Sequence, residues 1–328
     1  HHWLRLVIFL KAAKQIFGRK ITGVYEFGVR KKILQSLKSL KLDYEIIVPN
    51  KIPKKYYQKS KKILSNFDSI ADLLNFKLNN GYPLFMFYDG VLKKEFLGEI
   101  ELHHPSLEKE LAKTLFLLNF YNKKISKINI NAIVVSHPTT IRFSTLLWVG
   151  LKKNIPVYIL NYRNNFITIR YLKNEMDFHK ISNDICDHSD LLKISDEKKS
   201  NLISRGKKFI NKINDDANKE ISMFRNEPNF NLKNKNDFLS YFKAKNKPTI
   251  LVLSSCFPDF PNANGVSYLE NHVSWIKSTL EFAKKTNEFN WIFKTHPAEH
   301  LYGDKITLRK LIKNYLKENI FIKSNELN

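Results

Sequence analysis

A histidine followed by proline at the end of an apolar run is the pattern in this chain with the clearest chemical content. It occurs twice, as Val134-Val135-Ser136-His137-Pro138 and as Ile292-Phe293-Lys294-Thr295-His296-Pro297. Proline disfavours helix in the residue before it, and in a parallel α/β sheet the strand ends line the ligand crevice. An imidazole aimed there could act as a general base near neutral pH, or bind phosphate oxygen when protonated. A histidine at a strand end can also simply hydrogen-bond neighbouring backbone, and the pattern leaves both readings open. Its recurrence in both halves of the chain favours the chemical one.

A second constellation is Ser254-Ser255-Cys256-Phe257-Pro258-Asp259-Phe260-Pro261-Asn262-Ala263-Asn264-Gly265, directly after an apolar run. Its Pro, Asn and Gly content predicts a loop, and its position puts Ser255, Asp259 and Asn264 on the crevice edge. Asp259 could orient a sugar hydroxyl or activate an acceptor; a turn-forming aspartate is the equal alternative. Cys256 could pair with His296 or His272 as a nucleophile, but nothing in the local pattern fixes that geometry. There is no GxGxxG, P-loop or GxSxG, so nicotinamide dinucleotides, Walker-type ATP binding and a serine-hydrolase elbow lack support. Asp-x-Asp, a metal-holding motif of many sugar transferases, is absent as well, and no metal site is expected. Asp215-Asp216 lies in a polar stretch and reads as a solvated face.

These residues need elements to position them. Apolar positions at helical spacing predict an amphipathic helix over 4–17, and further helices over 27–41 and 56–78. Residues 44–49 predict a short strand closed by Pro49. Residues 82–88 form an apolar run ending at Asp89-Gly90, which predicts a strand followed by a turn and places Asp89 at its end. A helix is predicted over 106–124, a buried strand over 132–136, a helix over 140–153 and a strand over 155–160. Strand, crossover helix and strand in that order make a βαβ unit and hence a parallel sheet. From 187 to 245 the chain turns polar and helical. A second α/β series follows: strand 249–253, helix 268–286, strand 290–294, helix 305–317 and a strand onset at 320–322.

Bulk composition bounds the partners. The 328 residues suffice for two domains, and 24 Phe with 14 Tyr need a core to bury them. The net charge of +24 admits an anionic partner such as a nucleotide-sugar or an acidic lipid surface. Compositional drift toward Lys, Asn, Ile and Phe accounts for the same excess, and the basic residues are scattered in pairs. With no zinc-finger spacing, RNA-binding signature or helix-turn-helix, a nucleic-acid partner is not expected. Two cysteines, Cys186 and Cys256, exclude a disulfide framework and suit a reducing cytoplasm. The apolar run at 3–10 is far shorter than the ~20 residues of a spanning helix and lacks a cleavage site. The expectation is a cytoplasmic protein with no membrane-spanning segment, able to lie on the inner face of the membrane.

Residues 249–300 resemble the bacterial capsule polysaccharide biosynthesis family. The resemblance is carried by Cys256-Phe257-Pro258-Asp259, by Ser274-Trp275-Ile276-Lys277-Ser278-Thr279-Leu280, and by Asn290-Trp291-Ile292-Phe293-Lys294-Thr295-His296-Pro297-Ala298-Glu299. The wider group includes Kdo transferases and, more distantly, CDP-glycerol glycerophosphotransferases. In the first half, residues 132–137 followed by Lys153-Asn154-Ile155-Pro156-Val157-Tyr158 are similar to the family's strand, helix and "gly-ile-pro-val" strand, with Asn154 where glycine is usual.

What the resemblance implies is a GT-B architecture, two Rossmann-like domains facing a cleft, and an inverting, metal-independent transfer from a nucleotide-activated sugar. Carried over by position, Lys294, His296 and Glu299 would sit at the donor, with Ser255, Asp259 and Asn264 beside them. Lys294 or His296 would neutralise charge developing on the leaving phosphate. His137 and Asp89 are the candidates for acceptor activation. The expected domains are 1–186 on the acceptor side, a helical linker over 187–247, and an incomplete nucleotide-sugar-binding domain over 248–328, since family members continue with a further strand, turn and helix. The expected substrates are a nucleotide-sugar, CMP-linked donors included, and a glycan or lipid-linked glycan, with no cofactor. Two alternatives stay open: polyol-phosphate transfer from a CDP-linked donor, and a non-catalytic remnant or basic binding module.

Overall fold

The computed structural model describes residues 11–12, 14–15, 18, 22–26, 44–135, 138–163, 166–178, 192–216, 235–263, 269–296, 299, 306–316 and 319–323. The chain is a mixed α/β protein with parallel sheets. It divides into two compact units. One comprises residues 1–91, 101–181 and 262–265; the other comprises 92–100, 182–261 and 266–328.

In the first unit, β1 (Thr22–Glu26) pairs in parallel with β2 (Tyr44–Val48). Helices α1 (Lys54–Leu64) and α2 (Ile70–Asn75) follow, the latter opened by a capping box in which Ser69 and Asp72 satisfy each other's amides. Next comes α3 (Leu84–Glu95), whose residues from Leu92 onward belong to the second unit, and then α4 (Pro105–Ile125), which starts with Pro105 at its first position and Glu108 in its first turn. Proline there forfeits no helical hydrogen bond, and the glutamate faces the positive end of the helix dipole. Strand β3 (Ile133–Val135), helix α5 (Ile141–Lys152) and strand β4 (Val157–Arg163) form the expected βαβ unit, with β3 and β4 parallel.

The run expected as a strand at 82–88 is a helix. Leu84, Met86, Phe87, Tyr88, Val91 and Leu92 of α3 are all fully buried. A helix enclosed on every side shows no polar stripe, so its sequence has the same continuous apolar texture as a buried strand. Gly90, expected in a turn, lies inside α3 because of a neighbour: a Cβ there would come within 2.6 Å of Ile141 Cγ1. Two strands lie outside the sequence expectations, β1 and β5 (Phe166–Leu172), which returns antiparallel to β4 with Tyr158 opposite Tyr171. Those two rings stack at 5.2 Å. A short helix, α6 (Glu175–Phe178), follows β5.

The expected strand and helix boundaries at Asn154 have a physical basis. Asn154 adopts φ +55°, and Ile155 N donates back to Gly150 O at 2.9 Å. That pattern is a helix-terminating turn with a left-handed residue, a place for glycine that asparagine tolerates.

The second unit holds α7 (Asp196–Asp216), α8 (Lys235–Phe242), β6 (Thr249–Leu253), α9 (His272–Lys285), β7 (Asn290–Lys294), α10 (Leu308–Ile312) and β8 (Ile320–Lys323). Its sheet is wholly parallel in the order β6-β7-β8. Helix α9 starts later than expected because Asn271 caps it, accepting from Ser274 N at 2.8 Å. Its buried residues Val273, Ile276, Leu280 and Ala283 recur at helical spacing. They pack on Val252, Trp291, Phe293, Leu308, Ile312 and Ile320 to make the core of this unit. Helix α10 is shorter than the expected 305–317. The expected helix over 27–41 lies outside the described residues, as do most of 4–17, of which 11–12 and 14–15 are helical. Among the described residues no helix is long and apolar enough to cross a membrane.

Candidate functional site

Parallel pairing of β6 with β7 brings two turns to the same end of the sheet. Ser254 N donates to Lys294 O at 3.0 Å, carrying the ladder one step past the last residue of β6. The loop that starts at Ser254 and the turn Lys294-Thr295-His296 therefore leave the sheet side by side. Ser255, Asp259, Lys294 and His296, four of the residues singled out by sequence, belong to these two segments of the second unit.

The loop is anchored from within. Phe257 is 1% exposed and packs into the unit's core. Asp259 N donates to Cys256 O at 3.0 Å and Phe260 N to Pro258 O at 3.2 Å, so the chain turns back at once. Phe260 holds φ +53°, a costly conformation for an aromatic residue. Residues 92–100 close against this loop and α9. Gly98 leaves no room for a side chain there: a Cβ would lie 2.4 Å from Val273 Cγ2 and 2.5 Å from Phe257 Cβ. Lys277 of α9 adds an ion pair to Glu99 at 2.7 Å.

Two further side chains complete the cluster. Lys93, in the last turn of α3, forms an ion pair with Asp259 at 2.7 Å and lies over the Phe260 ring. Cys256, 2% exposed, has its Sγ 3.0 Å from His296 Nδ1. The cysteine–histidine pairing is one that the sequence allows, but only the fold supplies its distance. Lys93 carries no local signal at all, being one lysine among many.

Burial holds the imidazolium form of His296 below its ordinary range; the Asp259 charge opposes this and the Lys93 charge adds to it. His272, at the start of α9, is likewise held down by burial, against a hydrogen bond to the Asp259 backbone and the Asp259 charge. Both rings are thus biased toward the neutral form near pH ~7. A neutral His296 can offer or accept a hydrogen bond but does not supply the positive charge of an imidazolium.

Glu299, expected near the donor, is committed to the fold. Its Oε1 accepts from Leu308 N at 2.8 Å, at the start of α10, and its own amide donates to His296 O at 3.0 Å. Lys294 is half-buried at the end of β7.

Asp89 belongs to the first unit, in the middle of α3 and not at a strand end. It is fully buried. Its Oδ2 accepts from Asn262 N at 2.9 Å and Ala263 N at 2.7 Å, and its Oδ1 from Asn262 Nδ2 at 2.7 Å. Burial pushes its pKa up to about 7, with the three hydrogen bonds pulling the other way. This carboxylate, a candidate for acceptor activation by sequence, is therefore occupied by donors from its own chain. His137 and Asn264 lie outside the described residues.

Among the described residues no group of three or more His, Cys, Asp or Glu is arranged to hold a metal ion. Comparison with family models, curated proteins and solved structures finds no match for this chain.

Proposed function

We propose that this protein is an inverting, metal-independent glycosyltransferase of GT-B architecture, moving a sugar from a nucleotide-activated donor to a surface glycan. The reading rests on the resemblance carried by Cys256-Phe257-Pro258-Asp259 and Lys294-Thr295-His296-Pro297-Ala298-Glu299. One structural observation supports it. The Ser254–Lys294 hydrogen bond sets the loop and the histidine turn side by side at the carboxyl ends of parallel strands, the edge where open α/β sheets bind their ligands.

In this proposal the acceptor hydroxyl attacks the anomeric carbon as the bond to the donor phosphate breaks. Negative charge then grows on the leaving phosphate oxygen. On this reading Lys294 and a ring N–H of His296 meet that charge, the electrostatic stabilisation such a step needs. Asp89, enclosed and triply hydrogen-bonded, leaves acceptor activation to His137.

Calorimetry with CMP-, UDP-, GDP- and CDP-linked ligands tests the reading. Binding of a nucleotide-sugar, lost in His296→Ala with the melting temperature within a few degrees of wild type, is the expected result. Binding of only a CDP-polyol would move the assignment to polyol-phosphate transfer. No binding of any of the four, with turnover absent, would remove the enzymatic reading.

A further inference from the structure

The 3.0 Å contact between Cys256 Sγ and His296 Nδ1 has one proton to place, and the two placements give His296 opposite chemistry. With the proton on Nδ1, the ring presents a lone pair at Nε2 and is a base. With the proton on sulfur, Nδ1 is the acceptor and Nε2 carries the N–H, so the ring is a donor.

Intrinsic chemistry favours the second. The unprotonated ring nitrogen is a far better acceptor than a thiol sulfur, and a thiol is more acidic than the N–H of a neutral imidazole. Complete transfer, giving thiolate and imidazolium, is opposed by the surroundings. Cys256 is 2% exposed, and a thiolate is costly in such a place. Around the ring, burial and Lys93 disfavour imidazolium, and Asp259, whose charge favours it, is itself paired with Lys93. The thiol is also held in place, because Phe257 beside it is a core residue and Asp259 N closes a turn onto the Cys256 carbonyl.

We infer that Cys256 is a positioning residue for His296: its thiol donates to Nδ1 and fixes the neutral ring as the Nε2–H tautomer. Resting on the proposed function, the consequence is that His296 enters the transfer as a hydrogen-bond donor to the leaving phosphate oxygen, and not as the base.

The tautomer is read directly from long-range proton–nitrogen correlation spectra of the full chain labelled with nitrogen-15, near neutral pH, with His296→Gln assigning the signals. The expected pattern is a protonated Nε2 and an unprotonated Nδ1 in wild type and in Cys256→Ser, and a tautomer mixture in Cys256→Ala. A protonated Nδ1 in wild type, two protonated nitrogens, or an unchanged pattern in Cys256→Ala overturns the inference. For the transfer itself, Cys256→Ala should lower kcat by roughly tenfold with little change in KM, and Cys256→Ser should recover most of it. The expected tautomer in a wild-type protein that binds no nucleotide-sugar would uphold the cysteine's role and defeat the proposed function instead.

Discussion

Lys93 Nζ and Asp259 Oδ1 are 2.7 Å apart although 166 positions separate them in the chain. The lysine side chain also rests on Phe260, its Nζ 5.7 Å from the ring centroid. The last turn of α3 thereby covers the loop after β6 and fixes the charges around His296. Asp259 looks like an isolated loop acid in the sequence; in the fold it is half of an ion pair.

That pair sets the first prediction. Lys93→Met removes a charge that disfavours imidazolium and unmasks Asp259, so His296 should titrate at higher pH than in wild type. Asp259→Asn should move it lower. Proton resonances of the ring followed through a pH titration decide the matter, and a downward shift in Lys93→Met would contradict the arrangement.

Asp89 gives a stability prediction with a definite sign. Its folded pKa of about 7 stands above the ordinary carboxylate value of 3.8, so between those two values the folded state holds a proton that the unfolded chain has released. The associated stability is fully present below the unfolded value and is lost as pH rises through about 7, at up to about 1.4 kcal/mol per pH unit. Urea unfolding at about pH 5 and about pH 8 should show wild type losing stability relative to Asp89→Asn over that interval. At either pH the variant's amide nitrogen faces donors that the carboxyl group had accepted from, a constant cost that leaves the slope intact. A wild type that gains on the variant as pH rises would refute the raised pKa.

Asn154 tests the end of α5. With φ +55°, Asn154→Gly should be neutral or stabilise by up to ~1 kcal/mol, and Asn154→Val should cost about 1–2 kcal/mol, because a β-branched side chain clashes in the left-handed region. In thermal unfolding the glycine variant should melt at or above wild type and the valine variant below it. Equal melting temperatures would mean the turn is not as described.

Gly98 and Gly206 form a contrasting pair. Gly98→Ala drives a Cβ into Phe257 and Val273 and should cost about 1–3 kcal/mol by overpacking. Gly206 lies inside α7, and a Cβ added there would meet nothing within 4 Å, so Gly206→Ala should stabilise by roughly 0.5–1 kcal/mol. Denaturant midpoints of both variants measure the difference, and a harmless Gly98→Ala would show that residues 92–100 do not press on the loop.

Local pattern alone determined much of the second unit. The bounds of β6 and β7 match the expected 249–253 and 290–294, because a short continuous apolar run bounded by proline and turn residues is a property of a few neighbours. The βαβ unit of β3, α5 and β4 was legible for the same reason, with a helical period between two apolar runs. Helix α3 was not, since burial of nearly every residue over 84–92 erased the period that distinguishes helix from strand. Strand β5 did carry a local signal that the sequence expectations leave out: Phe166-Ile167-Thr168-Ile169-Arg170-Tyr171-Leu172 is an aromatic and β-branched run, and only two residues separate it from Arg163, the spacing of a tight hairpin.

The chemistry divides the same way. Sequence singled out His296, Lys294 and Asp259 by their places at strand ends and in a loop. Only the tertiary structure set a thiol against one nitrogen of His296, a lysine against Asp259, and a helix start against Glu299. A side chain's type and its nearest neighbours are written locally, but which groups share its hydrogen bonds and its field depends on packing between segments far apart in the chain.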